Sequence, residues 1–321
     1  MMKSILVTGA SGFLGRNLIG RLHADGYTVA GSIRRPSSLL PATVRTHLVD
    51  VENPQDSWVP ALSGVDTVVH CAARVHVMLD KSTNPLAEFR KANVEATLRL
   101  ARESAAAGVR RFIFVSSIKV NGEQTLPGAP YTADDIPQPT DPYGISKLEA
   151  EAGLLALAET VDMDVVIIRP VLVYGPGVKA NFLSLMTWLS RGVPLPLGAI
   201  HNKRSLVALD NLCDLIVTCV DHPAASNQVF LVSDGEDLST TSLLRRMAHA
   251  LNAQARLLPV PVSVLRFGSL LIGKPELSQR LCGSLQVDIT KTRTLLGWTP
   301  PVSVNTALAA TAKHYLNPSK L

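Results

Sequence analysis

The chain opens on a short apolar run, Ser4 to Thr8, that passes directly into Gly9-Ala10-Ser11-Gly12-Phe13-Leu14-Gly15 and then into the helical spacing of Leu18, Ile19 and Leu22. A strand, a glycine turn and a helix start in immediate succession leave few folds open. Gly9 permits the tight turn, Gly12 lets the backbone approach a bulky anion, and Gly15 lets the helix lie close on the strand. Free N–H groups at the positive end of the helix favour negative charge. Gly9, Ser11, Gly12, Phe13, Leu14 and Gly15 are therefore expected to cradle the pyrophosphate of a dinucleotide. The spacing is G-x-x-G-x-x-G rather than the commoner G-x-G-x-x-G.

The rest of the N-terminal half alternates in period. Strand-like runs at Thr28 to Ile33, Thr67 to Cys71, Arg111 to Ser117 and Val165 to Arg169 are separated by helical patterns at Leu86 to Ala107 and Tyr143 to Thr160. That alternation predicts an α/β fold of Rossmann type, a doubly wound parallel sheet with helices on both faces. After Pro170 the pattern loosens, with proline and glycine clusters at Gly175 to Gly177 and Gly192 to Gly198.

Within the second helical pattern, Tyr143 and Lys147 stand four residues apart and so share one helix face. A free phenol titrates near ~10, and a neighbouring ammonium stabilises the phenolate. The pair predicts an acid–base group suited to a sugar or alcohol oxygen.

Taken together these segments resemble the extended short-chain dehydrogenase/reductase superfamily of nucleotide-sugar epimerases, dehydratases and reductases. Thr8 to Gly15 is similar to its TGxxGxxG loop, His70-Cys71-Ala72-Ala73 to the strand end that passes the cofactor, and Phe114-Val115-Ser116-Ser117 to the strand carrying the catalytic serine. The resemblance implies Ser117, Tyr143 and Lys147 as catalytic residues, with Ser116 a structural neighbour. It implies cofactor contacts from Asp50, Val51, Cys71, Ala72, Ala73 and Asn93, and from Tyr143 and Lys147 themselves. The second strand ends Ser32-Ile33-Arg34-Arg35 without a carboxylate, and two guanidinium forks suit a 2′-phosphate. NADP(H) is expected to be preferred, with NAD(H) accepted.

The resemblance further implies a smaller C-terminal substrate domain. Residues 1–170 would form the dinucleotide-binding domain with 203–235 returning to it, and 171–202 with 236–321 would receive a UDP-sugar. Lys119, Asn121, Asn181, Arg204 and Arg280 are the expected substrate contacts, with Arg74 and His76 near the sugar end. The segments around Ser116 to Glu123 and Gly198 to Asn202 resemble a bacterial polysaccharide branch. They suggest an O-antigen (lipopolysaccharide) enzyme that reduces the C4 ketone of a UDP-2-acetamido-2,6-dideoxy-4-hexulose to UDP-N-acetylquinovosamine or UDP-N-acetylfucosamine. The alternative is a UDP-N-acetylglucosamine or UDP-glucose 4-epimerase. By analogy a homodimer is expected through the helices at 86–107 and 143–160.

Composition bounds this reading. A chain of 321 residues, 46% hydrophobic and 18% charged, can bury a sizeable core. Cys71, Cys213, Cys219 and Cys282 show no C-x-x-C spacing, so neither a zinc site nor a disulfide framework is indicated, and no metal is expected. The net charge of +5 is scattered without a basic run or aromatic interleaving, which argues against nucleic acid. The apolar start is too short for a signal-peptide core, so a cytoplasmic enzyme is expected. Leu257 to Gly273, interrupted by Pro259, Pro261 and Arg266, falls short of a membrane span.

Overall fold

A computed structural model describes residues 3–37, 40–75, 84–126, 128–271, 273 and 275–317. Its strands are β1 (Ser4–Thr8), β2 (Thr28–Ile33), β3 (Arg45–Leu48), β4 (Thr67–His70), β5 (Arg111–Val115), β6 (Asp164–Pro170), β7 (Leu172–Tyr174), β8 (Arg204–Ala208), β9 (Gln228–Val232) and β10 (Asp237–Leu238). Seven of them form one sheet in the order β3-β2-β1-β4-β5-β6-β9. Every pairing in it is parallel. The strand order reverses between β1 and β4, and ligands of such sheets bind outside the strands' carboxyl ends at that point.

The strands are apolar on both faces because both are covered. Ile5, Val7, Ile113, Val166 and Ile168 pack with Leu18, Ile19, Leu212 and Ile216 from the helices Phe13–Ala24 and Leu209–Asp221. Leu6, Phe112, Phe114, Val165 and Ile167 face the other way, against Leu100, Ala150 and Leu154 from the helices Ala96–Ala106 and Pro142–Ala158. Neighbouring strand residues thus feed opposite cores.

A second sheet, in the order β10-β8-β7, has its own core with Phe182, Met186, Leu244, Met247 and Leu308. Here the segment 203–235 departs from expectation. Its strand Arg204–Ala208 pairs with β7 and β10, while the helix Leu209–Asp221 and β9 pack with the large sheet. Conversely Leu285, Val287, Ile289 and Trp298, expected with the smaller part, lie in the large sheet's core.

The helix expected at 86–107 is also not uniform. Between Pro85–Arg90 and Ala96–Ala106, residues Lys91–Glu95 take a wider π turn.

Candidate active site

At the sheet's switch point the glycine loop folds as its spacing requires. Gly9 has φ of +64°, and a β-carbon on Gly15 would stand 2.3 Å from the Gly9 carbonyl oxygen, so a larger residue at either position would disrupt the turn. Gly12 is the N-cap of the first helix and no side chain caps that helix. Ser11 and Gly12 are exposed, with Phe13 and Leu14 half-buried behind them. The first-turn amides thus face an open rim with no side-chain acceptor, which fits a dinucleotide's pyrophosphate.

Beside the loop, the end of β4 closes in. A β-carbon on Gly9 would meet the Ala72 nitrogen at 2.9 Å, and the Ala72 N–H donates to the Thr8 hydroxyl at 3.3 Å. Cys71 and Ala73 line the same stretch, and burial pushes the Cys71 thiol up to about 12. His70 is wholly buried, bonded through Nδ1 to Thr8 at 2.7 Å and through Nε2 to Thr97 at 3.0 Å. Burial, with the Lys147 charge adding to it, pulls its pKa down to about 3. The imidazole is a neutral tie between β1 and the helix Ala96–Ala106.

The expected catalytic residues come together. Asp141 caps the helix Pro142–Ala158, accepting from the Gly144 N–H at 2.6 Å. Gly144 lets that helix start lie against the turn Ile118–Val120, since a β-carbon there would reach the Lys119 carbonyl oxygen at 2.8 Å. This close approach brings the Ser117 hydroxyl near enough to the Tyr143 phenol to favour its charged form. Ser116 points away and donates to Glu151 inside the protein.

The electrostatics differ from expectation. Burial raises the Tyr143 phenol to about 12, opposed by the nearby Ser117 hydroxyl and assisted by Asp141, with no lowering from Lys147. The buried Lys147 ammonium donates to the Val115 carbonyl at 2.9 Å and lies 4.3 Å from the centre of the Phe114 ring. Its own pKa falls to about 8 through burial, opposed by Glu151 and Cys71. Helical spacing places the pair on one face, but the lysine reaches inward to the sheet.

Behind Lys147 stands a buried network that sequence reasoning missed. Arg169 donates to Glu151 at 2.6 Å, with the two side chains 5% and 2% exposed, and to the Asn121 oxygen at 3.0 Å. The Asn121 amide donates to the Thr132 carbonyl at 3.0 Å. Asn121 is thus held in the interior rather than at the sugar end of the cleft. Asn93, on the π turn, accepts from the Arg74 N–H at 2.9 Å and donates to the Arg74 carbonyl at 3.1 Å and to Ser146 at 3.0 Å. It braces the cleft wall instead of offering a free amide.

Other expected residues sit further out. Asp50 and Val51 follow β3, with the Asp50 carboxylate accepting from the Glu52 N–H at 3.1 Å. Arg34 and Arg35 are exposed, and Arg34 lies 3.8 Å from Glu52. A carboxylate therefore does stand beside the end of β2, supplied from beyond β3. Lys119 pairs with Asp141 and, at 3.3 Å, with Glu123. Asn181 and Arg280 are exposed, Arg280 lying 3.7 Å from Glu276. Arg204 donates to the carbonyls of Arg280 at 3.0 Å and Gly283 at 3.2 Å, and burial lowers its pKa. No carboxylate among the described residues forms an ion pair with it. His76 lies outside the described residues. No metal-binding cluster occurs among the described residues, and no helix there is long and apolar enough to cross a membrane.

Comparison with known proteins agrees with this geometry. A UDP-glucose 4-epimerase of Vibrio cholerae is 49% identical over 98% of this chain and 96% of its own length. Another of that name, from Mycolicibacterium smegmatis, is 30% identical over 98% of this chain and 99% of its own. Among solved structures, MoeE5 in complex with UDP-glucuronic acid and NAD is 27% identical, covers 98% of this chain and 99% of its own, and superposes with a TM-score of 0.75. A UDP-glucose 4-epimerase of Thermotoga maritima shares the fold at a TM-score of 0.78 and 23% identity, over 98% of this chain and 99% of its own. These relatives overturn the expected C4-ketone reductase. That expectation rested on the resemblance of two short segments, Ser116 to Glu123 and Gly198 to Asn202, whereas the Vibrio cholerae relative matches nearly the whole chain. Residues 5–233 match the NAD dependent epimerase/dehydratase family, and the chain, an enzyme, belongs to that family.

Proposed function

We propose that this protein is a UDP-hexose 4-epimerase that interconverts UDP-glucose and UDP-galactose, with their N-acetylated counterparts as further candidate substrates. The observation that carries the reading is the neighbouring Ser117 and Tyr143 hydroxyls beside an uncapped glycine loop. The Vibrio cholerae relative, matched from end to end, supports inversion at C4 over net reduction.

A nicotinamide dinucleotide, when bound, supplies reversible hydride exchange with the sugar carbon and, oxidised, a positive charge that favours the phenolate. Tyr143 accepts the proton of the C4 hydroxyl and returns it to the same oxygen once the ring has presented its other face. Ser117 holds that oxygen through its own hydroxyl. Lys147, anchored to the Val115 carbonyl, fixes the floor on which the dinucleotide rests. Arg204, desolvated and without a carboxylate, is assigned to the UDP diphosphate, with Asn181 and Arg280 at its margin. The exposed Arg34 and Arg35 are assigned to the adenosine end, where they accept a 2′-phosphate while Glu52 serves an unphosphorylated ribose. The smaller sheet with residues 236–282 is assigned to substrate binding, and a homodimer to the helices Ala96–Ala106 and Pro142–Ala158.

The test is incubation with UDP-glucose and NAD, followed by identification of the product sugar. UDP-galactose with no net change in nicotinamide absorbance is expected. Stoichiometric oxidation or reduction of the dinucleotide, with no C4 epimer, would remove the assignment.

A further inference from the structure

The helix Val262–Leu271 carries large apolar side chains on two sides, yet only one side of it is covered. Val262 and Leu265 pack on the smaller sheet's core, and Ser269 bonds the Ser278 hydroxyl at 2.8 Å. On the opposite face Val264, Phe267, Leu270 and Leu271 are 56%, 64%, 63% and 72% exposed. Their spacing gathers them into one stripe, and Leu258, half exposed, stands just before the helix. A contiguous stripe of large exposed side chains marks a contact surface, unlike a scatter of single ones.

The charge along this part of the sequence is one-sided, although Arg246 is paired with Glu236 from just outside it. From Leu238 to Pro275 the sequence contains no Asp or Glu, while it carries Arg245, Arg246, Arg256, Arg266 and Lys274. Arg266 is exposed on the flank of the stripe. The next carboxylate, Glu276, sits 3.7 Å from Arg280. A second copy of this chain is a poor occupant, because a two-fold interface sets a patch against itself and this helix would bring Arg266 from both copies with no carboxylate of its own to pair them. A surface that is apolar below and negative above matches both properties at once.

We propose that the exposed face of the helix Val262–Leu271 seats this protein on the surface of an anionic lipid bilayer. The helix is too short to span, so it lies in the interface with Phe267, Leu270 and Leu271 in the acyl boundary and Arg266 among the headgroups. The following helix Pro275–Cys282 carries the Arg280 carbonyl that accepts from Arg204. Seating therefore places the proposed diphosphate end of the cleft next to the membrane.

The test is flotation of the full chain with vesicles of phosphatidylcholine and phosphatidylglycerol in equal parts, alongside phosphatidylcholine alone. Binding to the mixed vesicles is expected, falling roughly tenfold on neutral vesicles or at high salt. The double variant Phe267→Ser/Leu271→Ser should lose roughly tenfold or more of the bound fraction. Its thermal unfolding should stay unchanged, and Arg266→Glu should weaken binding in the same direction. Wild-type protein that stays at the bottom with mixed vesicles overturns the proposal. So does equal binding to neutral vesicles, or a dimer in sedimentation that the double variant dissociates.

Discussion

The two sides of the cleft are built on opposite principles. On the sheet side Lys147, Glu151, Arg169 and His70 are buried and tied to named partners. On the proposed substrate side Asn181 and Arg280 are exposed, and among the described residues Arg204 is held by two backbone carbonyls. The first side is finished before any ligand arrives, whereas the second holds its guanidinium groups by two backbone carbonyls and one exposed carboxylate. Preorganised groups serve the reacting atoms, and loosely held ones serve recognition.

The contrast can be broken from its strongest point downward. Tyr143→Phe keeps the ring but removes the proton carrier, and turnover should fall by on the order of 10²–10⁴ while UDP affinity holds, measured by product formation and calorimetry. Near-normal turnover would take Tyr143 out of the chemistry. Glu151→Ala leaves the Arg169 guanidinium buried without its carboxylate and should cost about 3–5 kcal/mol in chemical denaturation. If Glu151→Ala is silent in stability, the finished side is not finished.

His70 supplies a pH signature. Its folded pKa of about 3 lies below the ordinary 6.5, so the unfolded chain binds the extra proton between those values. Stability from this group is full above pH 6.5 and is lost as pH falls toward 3, by up to a few kcal/mol. His70→Gln should flatten that part of the stability profile. On the looser side, Arg204→Ala should raise KM for the UDP-sugar roughly 10- to 100-fold with kcat little changed. The smallest effect is expected at Arg34, exposed and at most weakly paired with Glu52. Arg34→Ala should weaken NADP(H) by roughly two- to fivefold and leave NAD(H) unchanged, read as the ratio of their Michaelis constants.

What could be read in the sequence follows the same divide. The glycine loop and the Tyr143–Lys147 spacing are local, so short-range geometry suffices to place them. The Glu151–Arg169 pair joins a helix to a strand and depends on how β6 sits in the sheet, which no spacing reveals. β3 escaped notice because Arg45–Leu48 is a largely exposed edge strand without an apolar face. The pairing of β8 with the smaller sheet is not legible in the sequence, because a buried apolar strand looks alike in either one. Glu52 was overlooked beside Arg34 because it arrives from beyond a neighbouring strand. The inward turn of Lys147 was hidden for a related reason, since its partner is a backbone carbonyl of β5.

The π turn at Lys91–Glu95 gives the two halves of one rod different orientations. Phe89 ahead of it meets the Tyr143 ring edge-on at 6.0 Å, while Ala96 and Leu100 behind it seal the sheet. Each residue advances an α-helix by about 100°. Winding all five residues of 91–95 as regular α-helix would swing Phe89 away from the phenol by about that angle, whereas deleting one of them would leave it nearly in phase. The irregular turn thus acts as a phase adjuster, letting a single helix answer to both the interior and the reacting edge.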